Sequence, residues 1–259
     1  VIKVNGQSAT IDGMVYKSPP IKLKEGINNL DVSITDIEGQ FIKQLIVNRD
    51  TTPPLLEDIK PEAGSIINST PFNITGRIVD DSPVRVYVDG IVSDNVEKVF
   101  ENQVIYRDGT HTIQIRAVDI AGNERIFKRD VMVDTTLPKE FQVNAEPAGW
   151  TNNTRPEIKF TTTDETSGIN HYELSIDDGP FERVTSPYKL PSLADGEHKI
   201  TIKAIDNAGL ERVSTTKVYI DTTPPDMPTA FRAIPGNKEM TLKWAEPNPD
   251  VILVTVSFR

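Results

Sequence analysis

The chain has 259 residues, with 38 Asp and Glu against 28 Lys and Arg, a formal net charge of −10 and 37% hydrophobic residues. So acidic a surface repels phosphate backbones and anionic lipid heads, which argues against nucleic-acid partners, and no run approaches the ~18 consecutive apolar residues of a membrane span, so no direct membrane insertion is expected. There is no Cys and there are only three His, which removes disulfides, thiolate zinc sites and cysteine nucleophiles.

In chain order, the sequence opens Val1-Ile2-Lys3-Val4-Asn5-Gly6, without the basic head and apolar run of a secretory signal. Three landmarks follow and then recur twice. An acidic-Gly pair stands at Glu25-Gly26, Asp108-Gly109 and Asp195-Gly196. A turn stands at Asp36-Ile37-Glu38-Gly39, Asp119-Ile120-Ala121-Gly122-Asn123 and Asp206-Asn207-Ala208-Gly209. A Pro-ended junction stands at Asp50-Thr51-Thr52-Pro53-Pro54, Asp134-Thr135-Thr136-Leu137-Pro138 and Asp221-Thr222-Thr223-Pro224-Pro225. Fixed order at a period of roughly 85 residues marks tandem copies of one unit.

Between the first and second landmarks apolar residues alternate: Leu30, Val32, Ile34; Ile113, Ile115, Ala117; Ile200, Ile202, Ala204. Period two predicts a half-buried strand, and the turn and the run after it predict an antiparallel hairpin closing each unit. Upstream, Phe72, Ile74, Ile78 and Val84, Val86, Val88 in the second unit, and Ile158, Phe160 and Tyr172, Leu174, Ile176 in the third, predict further short strands. No stretch carries a helical apolar period. About seven short strands per unit predict an all-β fold of tandem immunoglobulin-like β-sandwiches. The expected divisions are a partial module at 1–52, whole modules at 53–136 and 137–223, and a partial module at 224–259.

The run from Asp108-Gly109-Thr110-His111-Thr112-Ile113 to Asp134-Thr135-Thr136 resembles the last strands and linker of bacterial immunoglobulin-like (Big-type) repeats. The third unit, with Ser167-Gly168-Ile169, Tyr172-Glu173-Leu174-Ser175-Ile176-Asp177 and Ser186-Pro187-Tyr188, is similar to the same group. The first, with Val4-Asn5-Gly6 and Leu23-Lys24-Glu25-Gly26-Ile27-Asn28, resembles modules appended to secreted glycoside hydrolases. Pro228-Thr229-Ala230-Phe231-Arg232-Ala233 and Met240-Thr241-Leu242-Lys243-Trp244 look like the opening strands of a fibronectin type III module, with Trp244 as core tryptophan. The resemblance implies a segment of a large extracellular modular protein, secreted or at the cell surface.

The turn residues Asp36, Asp119 and Asp206 have two readings: carboxylates that accept the turn's own amides, or ligands for calcium, a hard cation that takes six to eight oxygens. Asp50, Asp134 and Asp221 at the junctions could join such a calcium set, with Asp80, Asp81, Asp164 and Glu165 as co-ligands. None has EF-hand spacing, and no cofactor other than calcium is expected. His111 and His198 hold matching places, taken by Asn28 in the first unit, and are read as fasteners of a corner to backbone. Adjacent acids such as Asp80-Asp81 and Asp177-Asp178 point apart and do not make a glycosidase pair, so an enzyme is not expected. Trp150, placed in a loop, is the candidate for stacking on carbohydrate.

The Asp-Thr-Thr-Pro-Pro junction is stiff, because Pro fixes φ and forces its predecessor extended while Thr is β-branched. The reading is an elongated rod at roughly 40 Å per module, serving as a non-catalytic spacer whose partners are its neighbouring modules. The alternatives are a module binding extracellular carbohydrate or a surface partner, and self-assembly of copies through the half-modules at the ends.

Overall fold

The computed structural model describes residues 1–226, 232–235 and 240–243. Trp244, the expected core residue of the last module, lies outside the described residues, as does Phe231. The chain divides into two compact units, Val1–Thr135 and Thr136–Arg259. Every described element is a strand, and among the described residues no helix is long and apolar enough to cross a membrane. The fold is all-β, built of immunoglobulin-like sandwiches in tandem.

The first unit begins with an antiparallel sheet in the order Gln7–Ser8, Ile2–Val4, Gly26–Thr35, Gln40–Arg49. Residues paired across a ladder share a face, so Leu45 opposite Leu30 and Phe41 opposite Ile34 extend the predicted apolar stripe. That face is not closed into a core. No residue of 1–50 is buried, and Phe41 and Leu45 stay 62% and 51% exposed.

A complete sandwich follows in the same unit. One sheet runs Ile91–Val92, Val84–Val88, Gly109–Asp119, Glu124–Val133, Ile66–Ile67, with only the last pair parallel; the other runs Asp94–Val96, Val99–Val104, Phe72–Val79, Leu55–Lys60. The alternating residues Ile113, Ile115 and Ala117 meet Val86 and Val88 on one side and Leu56, Ile59, Ile74, Ile78 and Phe100 on the other. Tyr87, on the opposite face from the buried Val86 and Val88, carries the Arg116 guanidinium 4.3 Å above its ring.

The second unit repeats the plan. Its larger sheet runs Trp150–Thr151, Glu211–Ile220, Gly196–Asp206, Ile169–Ile176, Glu182–Val184, and the smaller runs Val143–Glu146, Glu157–Phe160, Tyr188–Lys189. Ile200 and Ile202 pack against Ile158, Phe160, Leu174 and Leu190 between them. Trp150, expected in a loop, instead opens a two-residue strand parallel to Tyr219 and Ile220. A hairpin of Arg232–Pro235 with Met240–Lys243 ends the described chain.

Gly76 makes room for its cross-strand partner Phe100 within one sheet of the first sandwich. The Phe100 ring, itself fully buried, lies over it, and a Cβ at Gly76 would stand 2.5 Å from Phe100 Cε1. Gly76→Ala is therefore expected to destabilise the first sandwich by about 1–3 kcal/mol through overpacking, measured by chemical denaturation. A variant as stable as the parent would contradict this packing.

Candidate functional site: the linker clamps

The register of the closing hairpin sets the site. Gly26 pairs with Arg49, Gly109 with Val133 and Gly196 with Ile220. The acidic residue before each glycine therefore stands beside the first Thr of the following junction. Glu25 accepts the Thr51 amide at 2.7 Å, the Thr51 hydroxyl at 2.9 Å and the Arg49 guanidinium at 3.1 Å. Asp108 Oδ1 accepts the Thr135 amide at 3.0 Å and its hydroxyl at 2.9 Å. Asp195 Oδ1 accepts the same two groups of Thr222 at 3.0 and 2.8 Å, and its Oδ2 takes the Thr223 hydroxyl at 3.2 Å.

Each repeat thus grips its own exit segment with one carboxylate. The Thr51 amide and then its hydroxyl, with Arg49 beside them, hold the Glu25 carboxyl below its usual range. The Thr222 hydroxyl, and after it the Thr222 amide, do the same for Asp195 against the opposing effect of burial. Inside the first unit the linker is also held from its far side: Asn123 Nδ2 donates to the Asp50 carbonyl at 3.1 Å. Inside the second unit Arg212 Nε donates to the Pro138 carbonyl at 2.9 Å and Ser214 Oγ to the Phe141 carbonyl at 2.8 Å, tying the entry segment to the strand Glu211–Ile220. The sequence displayed both ends of the clamp as landmarks but not their bond. The signal was their constant separation of 26 or 27 residues.

The six aspartates singled out for calcium behave differently from one another. Asp36 Oδ1 accepts the Glu38 and Gly39 amides at 2.8 and 3.1 Å. Asp119 accepts the Asn123 amide at 2.8 Å and its side-chain amide at 2.7 Å. Burial alone would raise the Asp119 carboxyl, but these bonds and the Gly122 and Ala121 amides outweigh it and hold the group below its usual range. Asp50 and Asp221 each accept the amide two residues on, at 3.1 and 3.0 Å. Asp134 is fully buried, its amide donating to the Ile67 carbonyl at 2.9 Å.

Asp206 Oδ1 accepts the Leu210 amide at 2.8 Å, and a carboxylate oxygen of Asp206 lies within 4.8 Å of one from Asp164. Asp164 in turn accepts the amides of Thr166, Ser167 and Gly168 at 2.9–3.0 Å. Asp80 and Asp81 share a cleft of about 620 Å3 with Glu25 and Asp50, but Arg49 and Lys98 line it too, and Lys98 Nζ donates to the Asp80 carbonyl at 2.7 Å. Two resident cations weaken the field a divalent ion would meet there. Trp150, 66% exposed, lies 5.2 Å from the Tyr219 ring.

The matching polar residues do fasten a corner. His111 Nε2 bonds the Arg107 carbonyl at 2.7 Å, His198 Nε2 the Ala194 carbonyl at 2.9 Å and Asn28 Nδ2 the Lys24 carbonyl at 2.8 Å, each four residues back. A hairpin aspartate supports the corner in both complete sandwiches. Asp89 (φ 47°) and Asp177 (φ 51°) accept the amides of Gln114 and Lys199, both at 2.9 Å. The second oxygen of Asp89 takes the Tyr106 hydroxyl, on whose ring His111 stacks at 4.6 Å, while that of Asp177 meets His198 Nδ1 directly at 2.7 Å.

No family model matches the chain, and no curated protein does. Among solved structures it is similar to the fibronectin(III)-like modules of Clostridium thermocellum CbhA, with 17% identity and a TM-score of 0.42 over 64% of this chain and 93% of that one. It is also similar to a 1.5-MDa bacterial ice-binding adhesin, with 16% identity and a TM-score of 0.38 over 77% and 76%. A protocadherin gammaB7 EC3-6 structure gives 15% identity and a TM-score of 0.33 over 92% and 69%.

The Asp177 carboxylate first, and then the Ala194 carbonyl, raise the His198 pKa above 6.5, while the His198 hydrogen bond and, after it, the Lys199 amide lower Asp177 below 3.8. A raised histidine stabilises the fold fully below its unfolded value and loses that contribution as pH climbs through the folded one; the lowered aspartate contributes above 3.8 and fails as pH falls further. The second unit's melting temperature is therefore expected to decline from pH 6 to pH 8, and His198→Gln to flatten that decline. An unchanged slope in the variant, read by calorimetry, would remove His198 as its source.

Proposed function

We propose that the chain is a non-catalytic spacer segment of a large extracellular modular protein, in which the modules 1–52, 53–136, 137–223 and 224–259 hold a working domain at a set distance. The carrying observation is the clamp. All three repeats place a carboxylate on the first Thr of their exit linker, and the linkers are proline-ended rather than glycine-rich. Several hydrogen bonds converging on one carboxylate favour one path of the linker over the many it would otherwise sample. A spacer works by geometry, and its linkers are where geometry would be lost.

Small-angle scattering tests the reading. The parent chain is expected to give an extended particle and Glu25→Ala a broader spread of sizes at unchanged melting temperature. A compact parent particle, or no change in the variant, counts against it. A second reading, a carbohydrate-binding surface, is favoured by the exposed Trp150 ring beside Tyr219.

Calcium belongs to the spacer reading as a stiffener, with Asp206 and Asp164 as the pair closest to a ligand set. Millimolar calcium is expected to raise the melting temperature and EDTA to reverse the rise, with Asp164→Asn abolishing the difference. Identical melts in calcium and EDTA would rule the ion out.

A further inference from the structure

At one edge of the second unit's sandwich the end strand of the larger sheet, Glu182–Val184, and the end strand of the smaller, Tyr188–Lys189, border a cleft of about 790 Å3. The second repeat closes the corresponding edge. There Val99–Val104 runs beside Phe72–Val79, Phe100 pairs with Gly76, and the Lys98 carbonyl accepts the Ile78 amide at 2.7 Å. By register, with Lys60 opposite Thr75 and Glu146 opposite Glu157, each before a cis proline, Gly76 corresponds to Ile158 and Ile78 to Phe160. In the third repeat the pairing stops at Ile158 with Tyr188, and the Phe160 amide turns to Ser186 Oγ at 2.9 Å. The ladder that seals one sandwich is cut short in the other.

The exposed opening is chemically unlike the rest of the chain. Its floor is aromatic, with Phe160 and Tyr172 edge to face at 5.0 Å and Tyr188 alongside. Its rim carries Asn170, His171 and Arg183, and none of its lining residues is Asp or Glu, in a chain with 38 of them. Asn170 Oδ1 accepts Arg183 Nη2 at 3.2 Å and bonds His171 Nδ1 at 2.9 Å, which orients the guanidinium while leaving its other N–H groups available. Glu173, paired across the strands with Arg183, lies outside the lining and bonds the rim residue His171 at Nε2, at 3.4 Å. The Tyr188, Thr161 and Thr185 hydroxyls, also in the lining, make no hydrogen bond within the described residues and can face a ligand.

We infer that this cleft binds a carboxylate-bearing saccharide. A single guanidinium matches a single carboxylate, the neutral hydroxyls match the hydroxyls of a sugar ring, and a tyrosine face matches its C–H face. A multiply charged phosphate ligand would meet one cation and the field of a strongly acidic chain. This site stands apart from the spacer reading and from Trp150, which is at the opposite edge of the larger sheet.

The test is titration of the full chain with glucuronic acid, with N-acetylneuraminic acid and with neutral cellobiose, followed by calorimetry and amide chemical shifts. At least one acidic probe is expected to bind saturably with shifts centred on 160–188, and cellobiose more weakly. Arg183→Gln should weaken that binding about tenfold or more and Tyr188→Phe several-fold, both at parental melting temperatures. Failure of both acidic probes, equal affinity for cellobiose, or undiminished binding by Arg183→Gln overturns the assignment. So does loss of binding in Trp150→Ala, which would move the sugar to the Trp150–Tyr219 pair.

Discussion

Everything that repeats in this protein hangs on the register of one long hairpin. Gly26–Thr35 with Gln40–Arg49, Gly109–Asp119 with Glu124–Val133 and Gly196–Asp206 with Glu211–Ile220 pair without a slip. A slip of one residue would send every apolar side chain of the strand to the wrong face, so burial of Ile113, Ile115, Ile200 and Ile202 pins the ladder. The pinned ladder then delivers two polar features at its ends. At the turn, an aspartate meets the amides it caps. At the open end, an acidic residue meets the linker threonine.

Away from that hairpin the repeats diverge, and they do so where side chains rather than backbone decide the packing. The second repeat fills its edge with Phe100 over Gly76; the third puts Ile158 at the corresponding place and ends its ladder there. The first repeat has the hairpin and its apolar stripe, but no residue of 1–50 is buried. The hairpin is thus the constant part of the unit, and the rest of each sandwich is free to vary around it.

Much of this was legible in the residues. Strict alternation located the long strands, because a half-buried ladder leaves a period-two trace, and the turn aspartates were readable as caps because the glycines beside them mark the turn. The corner fasteners were readable from the match of His111, His198 and Asn28. The clamp was not, because spacing does not reveal which of several acidic side chains will meet a linker amide. Trp150 was misplaced for a related reason: a two-residue strand is too short to carry a period, and only pairing with Tyr219 and Ile220 defines it. The open edge of the third repeat depends on how far a ladder extends, which neither alternation nor turn residues encode.

The corner of the two complete sandwiches carries one more lesson. Asp89 and Asp177 hold equivalent positions and equivalent backbone bonds, yet one receives a phenol whose pKa is driven upward by burial and by that carboxylate, and the other an imidazole whose pKa its carboxylate raises. An acceptor fixed by the backbone tolerates exchange of its donor without disturbing the scaffold. Near-identical building blocks strung on one chain can in this way answer the same surroundings differently, so that a mild alkaline change would soften one block while its neighbour holds.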